Sequence, residues 1–113
     1  GGGSTITLPA ATGSGNRYCF VVTVAGTHVI NVVGNDEFVG GIHQGNDTDN
    51  TTVFFPAADA SDNDRITLNN GSQGGFVGSR YEIIDILLDN WSVIGSSDAS
   101  GTEATPFATG QGT

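Results

Sequence analysis

Acidic side chains in two loop segments come closest to a spacing that could bind a metal ion. Asp59, Asp62 and Asp64 fall within six positions, and Asp47 and Asp49 stand two positions apart in the other segment. Calcium takes roughly six to eight oxygen ligands, often from flexible loops. Neither segment has the full EF-hand pattern, however, and ordinary turns also prefer Asp and Asn. We therefore expect solvated turns and no metal, and if calcium does bind, Asp59, Asp62 and Asp64 are the first residues to examine.

Neither histidine is accompanied by a nucleophile or by a recognisable catalytic motif. His28 lies in an apolar stretch, where a structural histidine is the common interpretation, and His43 precedes Asp47 and Asp49 in a loop. The chain has no G-x-S-x-G elbow, no H-E-x-x-H motif and no phosphate-binding glycine loop. A carboxylate pair for glycoside hydrolysis stays open, because sequence does not give the separation of two carboxylates. We expect a protein that is not an enzyme and has no cofactor.

The composition argues against several classes of partner. Among its 113 residues the chain has no lysine, three arginines and twelve acidic residues, for a formal net charge of −9. Such a surface repels phosphate backbones and anionic membranes, so we expect no nucleic-acid partner and no membrane partner. No apolar run approaches the roughly 18 residues of a membrane span. The single cysteine, Cys19, rules out an internal disulfide and is expected to be a buried thiol.

The hydrophobic pattern repeats every two residues, which predicts strands. Tyr18, Phe20 and Val22 share one face of a segment whose other face carries Cys19 and Val21. Clusters of Gly, Asn, Asp and Ser separate this segment from similar ones. The fold class is therefore all-β, a compact antiparallel sandwich or barrel of about seven to nine strands.

The ends of the chain differ in composition from its middle. We expect a Gly-rich arm or linker at residues 1–4, a single β-domain at 5–104 and a flexible tail at 105–113. Because the chain contains no methionine, it is expected to be processed or to be a piece of a longer product.

The most informative segment is residues 78–95, which predicts a long β-hairpin. Asp89 and Asn90 separate two apolar arms, and both residue types tolerate the positive φ of tight turns. A hairpin this apolar must be covered by the rest of the domain or by another copy. The candidates for such a core or interface contact are Tyr81, Ile83, Ile84, Ile86, Leu88 and Trp91.

Several segments together resemble one family of viral proteins. Residues 5–18 read TITLPAATGSGNRY, residues 66–75 read ITLNNGSQGG and residues 78–85 read GSRYEIID, followed by Trp91-Ser92-Val93 and by GTEATPF at 101–107. In this order they are similar to the small head decoration, or cement, proteins of tailed bacteriophages. The loop at 34–50 departs from the family pattern, so the resemblance assigns it no role.

The resemblance implies a virion structural protein on the outer surface of the capsid. Its partners would be the major capsid protein and other copies of itself, in a homotrimer that stabilises the head. The alternative is a trimeric receptor-binding or fibre-tip domain that contacts host glycans. The two differ in copy number, which is high for a cement protein and low for a fibre.

Overall fold

The computed structural model describes residues 3–46, 51–57 and 63–108, and these residues form strands and no helix. They therefore contain no helix that could cross a membrane. The strands are β1 (Ser4–Thr7), β2 (Arg17–Val21), β3 (His28–Asn31), β4 (Glu37–Asn46), β5 (Thr52–Pro56), β6 (Arg65–Leu68), β7 (Arg80–Leu87), β8 (Asn90–Ala99) and β9 (Phe107–Ala108). The predicted all-β fold class is confirmed.

The strands form two sheets, and both are mixed. Sheet I has the order β1-β3-β6-β9 and sheet II has the order β2-β7-β8-β4-β5. β1 pairs with β3 in parallel, and β4 pairs with β8 in parallel. The prediction of a purely antiparallel arrangement was therefore wrong. The parallel pairing follows from the path of the chain. After β1 the chain crosses to sheet II as β2, and it then returns to sheet I as β3, which lies beside β1 and runs in the same direction.

Strand pairing extends to both ends of the described chain. Ser4, within the segment expected to be an arm, pairs with His28, and the Ser4 N–H donates to the Thr27 carbonyl at 3.2 Å. Phe107, within the segment expected to be a tail, pairs with Ile66 and is buried. Sheet I therefore includes residues from near both ends of the sequence.

One hydrophobic core is shared by the two sheets. Alternate residues of β7 and β8 point into it, and Tyr81, Ile83 and Trp91 are almost completely buried. Sheet I contributes Ile66 and other β-branched and leucine side chains to the same cluster. Each such side chain stabilises the fold by about 1.5–3 kcal/mol relative to an exposed position. The period-two pattern of the sequence thus accounts for the row of core-facing side chains on the β7–β8 hairpin.

The β7–β8 turn lies one residue earlier than the sequence predicted. Leu87 pairs with Asn90, so the two turn residues are Leu88 and Asp89, and Asn90 is the first residue of β8. Asp89 has a φ of 67°, while Asn90 has no positive φ. The register shifts between Asp85 and Leu87, which is a β-bulge. The sequence placed the turn at Asp89 and Asn90 because both residue types tolerate positive φ, but the strand pairing that follows the bulge makes Asn90 the first residue of β8.

Candidate interaction surface

The outward side of sheet II carries exposed apolar side chains on several of its strands. Residues that pair across the strands share a face, so the strand registers define this surface, here called the outer face. Its members in the middle of the sheet are Arg17, Cys19 and Val21 of β2, Arg80, Glu82 and Ile84 of β7, Ser92, Ile94 and Ser96 of β8, Val39 and His43 of β4, and Phe54 of β5.

Exposed apolar groups run across the outer face from one edge to the other. Ile94 is 61% exposed at the centre of the sheet, and Val21 and Phe54 are about half exposed near its two edges. Cys19 is exposed on β2, so the expectation of a buried thiol was wrong. It was wrong because β2 is an edge strand whose odd-numbered residues point away from the core. Solvent-facing sheet surfaces are usually polar, so an apolar one indicates a contact surface.

An aromatic pair forms one side of the outer face. The rings of His43 and Phe54 lie 4.7 Å apart between centroids, in a tilted arrangement. The Phe54 ring occupies the space where a Cβ at Gly41 would stand. Any larger residue at Gly41 would displace this ring, so glycine at that position allows the aromatic side chain to lie flat against the sheet.

The charges on the outer face differ from those of the whole chain. Arg17 and Glu82 form an ion pair at 3.1 Å, with both side chains partly exposed. Arg80 is exposed and has no ion-pair partner among the described residues. Two of the three arginines of a chain with net charge −9 therefore lie on this one face. The same registers place Glu37 of β4 and Asp98 of β8 on the outward side of sheet II, so this side mixes apolar and polar residues and carries two arginines and three acids. Its formal charge is close to neutral, whereas the whole chain has a net charge of −9.

A second apolar feature projects from the β7–β8 turn. Ile86, Leu87 and Leu88 are 41%, 58% and 71% exposed, and we call these three residues the knob. The bulge after Asp85 interrupts the alternation that keeps Tyr81 and Ile83 inside. Three consecutive exposed apolar residues are costly in water, so the knob is a candidate contact site.

The knob lies beside the loop that connects β1 to β2, and a buried carboxylate holds this loop through hydrogen bonds. Asp85 accepts hydrogen bonds from the Thr12 N–H at 3.0 Å, the Gly13 N–H at 2.6 Å and the Ser14 hydroxyl at 2.7 Å. Burial alone would raise the pKa of Asp85, but the hydrogen bonds from Ser14, Thr12 and Gly13 hold it well below its ordinary value. The loop that connects β1 to β2 is thereby fixed under the knob.

A second buried carboxylate holds the same loop but has the opposite pKa shift. Asp36 accepts a hydrogen bond from the Ala11 N–H at 2.8 Å. Burial raises the pKa of Asp36, and the neighbouring Asp89 carboxyl raises it further, while the bond from Ala11 acts in the opposite direction. Asp89 is the turn residue beside the knob, so the two acids link the turn to the loop.

An apolar groove opens at the other end of the molecule, between the edge strands β1 and β2. Its volume is about 190 Å³. We define the groove by Ile6, Phe20, Val21, Val24, Val29 and Leu68. Val24 is 53% exposed at its rim, and the described residues that line the groove include no Asp or Glu. The groove is thus an uncovered apolar site on an acidic protein.

The structure separates the predicted contact residues into two groups. Tyr81, Ile83 and Trp91 belong to the core, while Ile86 and Leu88 are exposed in the knob. Ile84 is partly exposed and points to the outer face. The hairpin therefore places three of the six candidates in the core and leaves the other three partly or mostly exposed.

Of the three predicted calcium ligands, the structure describes only Asp64. Asp59 and Asp62 lie outside the described residues, and Asp64 is buried at 2% exposure. Within residues 3–46, 51–57 and 63–108, no three side chains of His, Cys, Asp or Glu approach one another closely enough to hold a metal ion. His28 bonds through Nε2 to the Val24 carbonyl oxygen at 2.8 Å, a structural contact at the groove.

Several functional candidates were missed by sequence reasoning. Ile94, Phe54 and Leu87 were not singled out, although strict alternation from Trp91 and Val93 places Ile94 on the outward side. No local signal identifies Asp85, because its partners at 12–14 lie more than 70 positions away in the chain. Comparisons of the chain with protein-family models, curated proteins and solved structures found no match.

Proposed function

We propose that this protein is a virion structural protein, a decoration or cement protein that binds the outer surface of a phage head through the outer face of sheet II. The observation that carries the proposal is the one-sided exposure of apolar side chains on that face, centred on Ile94. The resemblance of the sequence to phage decoration proteins supports the same assignment.

The size of the outer face suits a protein that binds in several copies. Strands lie about 4.8 Å apart and rise about 3.3 Å per residue, so the face covers roughly 400 Å² of flat area. Stable interfaces bury about 800 Å² per partner, so one copy would bind weakly. A homotrimer presents three such faces at once, and linked contacts bind far more tightly than single ones. A cement protein can therefore have a weak contact in each copy and still bind the capsid tightly as an assembly.

The charge distribution supports one orientation on the partner. The outward side of sheet II carries Arg17 and Arg80 with three acids, Glu37, Glu82 and Asp98, whereas the whole chain has a net charge of −9. With the outer face against the capsid protein, the two arginines would meet acidic groups of the partner, and exposed acids off this side, such as Asp89, would face solvent. Each trimer would then bridge neighbouring capsid subunits and add contact area that resists the pressure of packaged DNA.

Binding to heads that lack the protein tests this proposal. The wild-type chain should cosediment with such heads, and Ile94→Glu, which adds a charge at the centre of the face, should abolish cosedimentation. Val77→Glu is the matched control, because Val77 is 59% exposed in a loop outside the outer face. Equal loss of binding by the two variants, or no binding by the wild type, would contradict the proposal.

Copy number in purified virions distinguishes the decoration role from a receptor-binding role. Quantitative mass spectrometry should give a number comparable to that of the major capsid protein, and cryo-electron microscopy should place the chain on the head. A few copies at the tail would overturn the proposal and would favour a receptor-binding or fibre-tip domain.

A further inference from the structure

The knob and the groove lie at opposite ends of the same strands. β2 runs antiparallel to β7, with Arg17 beside Ile84 at the knob end and Val21 beside Arg80 at the groove end. The eight residues of β7 span about 23 Å, at about 3.3 Å per residue. One copy therefore cannot insert its own knob into its own groove.

We propose that the knob of one copy inserts into the groove of the next, so that the copies associate head to tail. That the assembly is a homotrimer rests on the proposed function. The contact itself is argued from the knob and the groove. The occupant of the groove is thus a second copy of this chain, and its contacting residues are Leu87 and Leu88.

The groove has room for one leucine side chain of the knob. A cavity of about 150 Å³ lined by apolar side chains is large enough to hold benzene. The groove has about 190 Å³ and therefore admits a leucine side chain, which is smaller than benzene. Leu88 is 71% exposed at the end of a turn that is held by Asp85 and Asp36, so the knob enters without first being ordered.

The charges of the chain favour contact at these two places. Copies with a formal charge of −9 repel one another over most of their surface. Among the described residues the groove lining has no acid; near the knob, Asp36 and Asp85 are buried and Asp89 is exposed beside Leu88. Apolar contact here removes the exposed leucine from water while bringing few exposed acids together.

Contacts between two different patches are heterologous, and they form a closed ring when the rotation between copies closes. The outer face of sheet II shares only Val21, on the edge strand β2, with the groove, and its centre at Ile94 takes no part in this contact. It remains available for attachment, so the ring and the proposed decoration role are compatible.

The contact is tested by measuring the mass of the full chain in solution, without capsids, by analytical ultracentrifugation. The wild type should sediment as species larger than a monomer at high concentration, as a trimer where the head-to-tail contacts close into a ring of three and as longer open chains where they do not. Leu88→Glu in the knob and Val24→Glu at the groove rim should each weaken association by about tenfold or more, because each places a charge in an apolar contact. Ile94→Glu makes the same charge change on the outer face and should keep the wild-type mass.

A mixture of two variants gives the decisive result. Leu88→Glu retains an intact groove and Val24→Glu retains an intact knob, so mixing them should produce a dimer with one native contact. A mixture that stays monomeric, or a wild type that is monomeric at every concentration, would overturn the proposal. If Val24→Glu lacks the wild-type circular dichroism spectrum, Val24→Ser replaces it at the same position.

Failure of this contact and failure of the decoration role have different signatures. If the role is wrong and the contact is right, the wild type binds no heads but the masses follow the pattern above. If the contact is wrong and the role is right, Leu88→Glu keeps the wild-type mass while Ile94→Glu still loses binding to heads.

Discussion

The two ends of the β7–β8 hairpin have similar apolar sequences and opposite environments. At the base, Tyr81 is fully buried, and its ring occupies the space where a Cβ at Gly95 would stand. At the tip, Leu87 and Leu88 are mostly exposed. The difference arises from what covers each end: sheet I packs over the base, whereas the tip extends past the loop held by Asp85. Hydrophobicity alone therefore does not decide which end of a hairpin forms the core.

The bulge after Asp85 converts one environment into the other. Up to Asp85 the odd-numbered residues point inward, and the Asp85 carboxylate uses that inward position to accept bonds from the loop at 12–14. Beyond the bulge the same alternation would have buried Leu87. The extra residue instead leaves Leu87 in solvent beside Ile86 and Leu88, which alternation already places outward.

The prediction with the largest expected effect compares how much a substitution at the base and one at the tip of the hairpin lower the free energy of unfolding. Trp91→Ala should lower the free energy of unfolding by about 3–5 kcal/mol, because it removes a large aromatic side chain from a closely packed core. Leu88→Ala should change it by no more than about 0.5 kcal/mol, since Leu88 is exposed in the monomer. Urea unfolding measured at a concentration where the chain is monomeric checks both values. Similar losses in the two variants would show that the tip is part of the core.

The second prediction concerns the carboxylate that supports the tip. Asp85→Asn should destabilise the chain at neutral pH, by less than Trp91→Ala does, because a neutral amide is a weaker acceptor for the Thr12 and Gly13 N–H groups. The pKa of Asp85 is lowered in the folded protein, so its contribution is present above the ordinary carboxyl pKa of about 4 and is lost as the pH falls below it.

Urea unfolding of the wild type and of Asp85→Asn at a series of pH values, from neutral to acid, tests this predicted loss of stability. The stability difference between the wild type and Asp85→Asn should be largest at neutral pH and should shrink below about pH 4. A difference that stays constant with pH would mean that the charge of Asp85 is unimportant. If the proposed association occurs, its weakening in Asp85→Asn without loss of folding would further indicate that the loop positions the knob.

The period-two pattern was sufficient to predict the strands and most of the core. It identified Tyr81 and Trp91 because alternation is local, and a local pattern can be read from sequence. It did not give the mixed sheets, because the crossing of β2 to sheet II depends on contacts between distant segments. The exposure of Leu87 also escaped it, since the bulge after Asp85 interrupts the alternation that would have buried this residue. The carboxylate clamp of Asp85 joins residues too far apart in the chain for any motif to show.

The smallest expected effect distinguishes the two carboxylates that hold the same loop. The pKa of Asp36 is raised in the folded protein, first by burial and then by Asp89, so its contribution to stability is present below the ordinary carboxyl pKa and is lost as the pH rises through the folded value. Asp36→Asn keeps an oxygen that can accept the Ala11 N–H and removes the repulsion with Asp89. Its free energy of unfolding at neutral pH should therefore stay within about 1 kcal/mol of the wild type or rise slightly. Urea unfolding of Asp36→Asn beside Asp85→Asn measures this contrast, and an equal loss in both would mean that the loop depends on two charged acceptors instead of one.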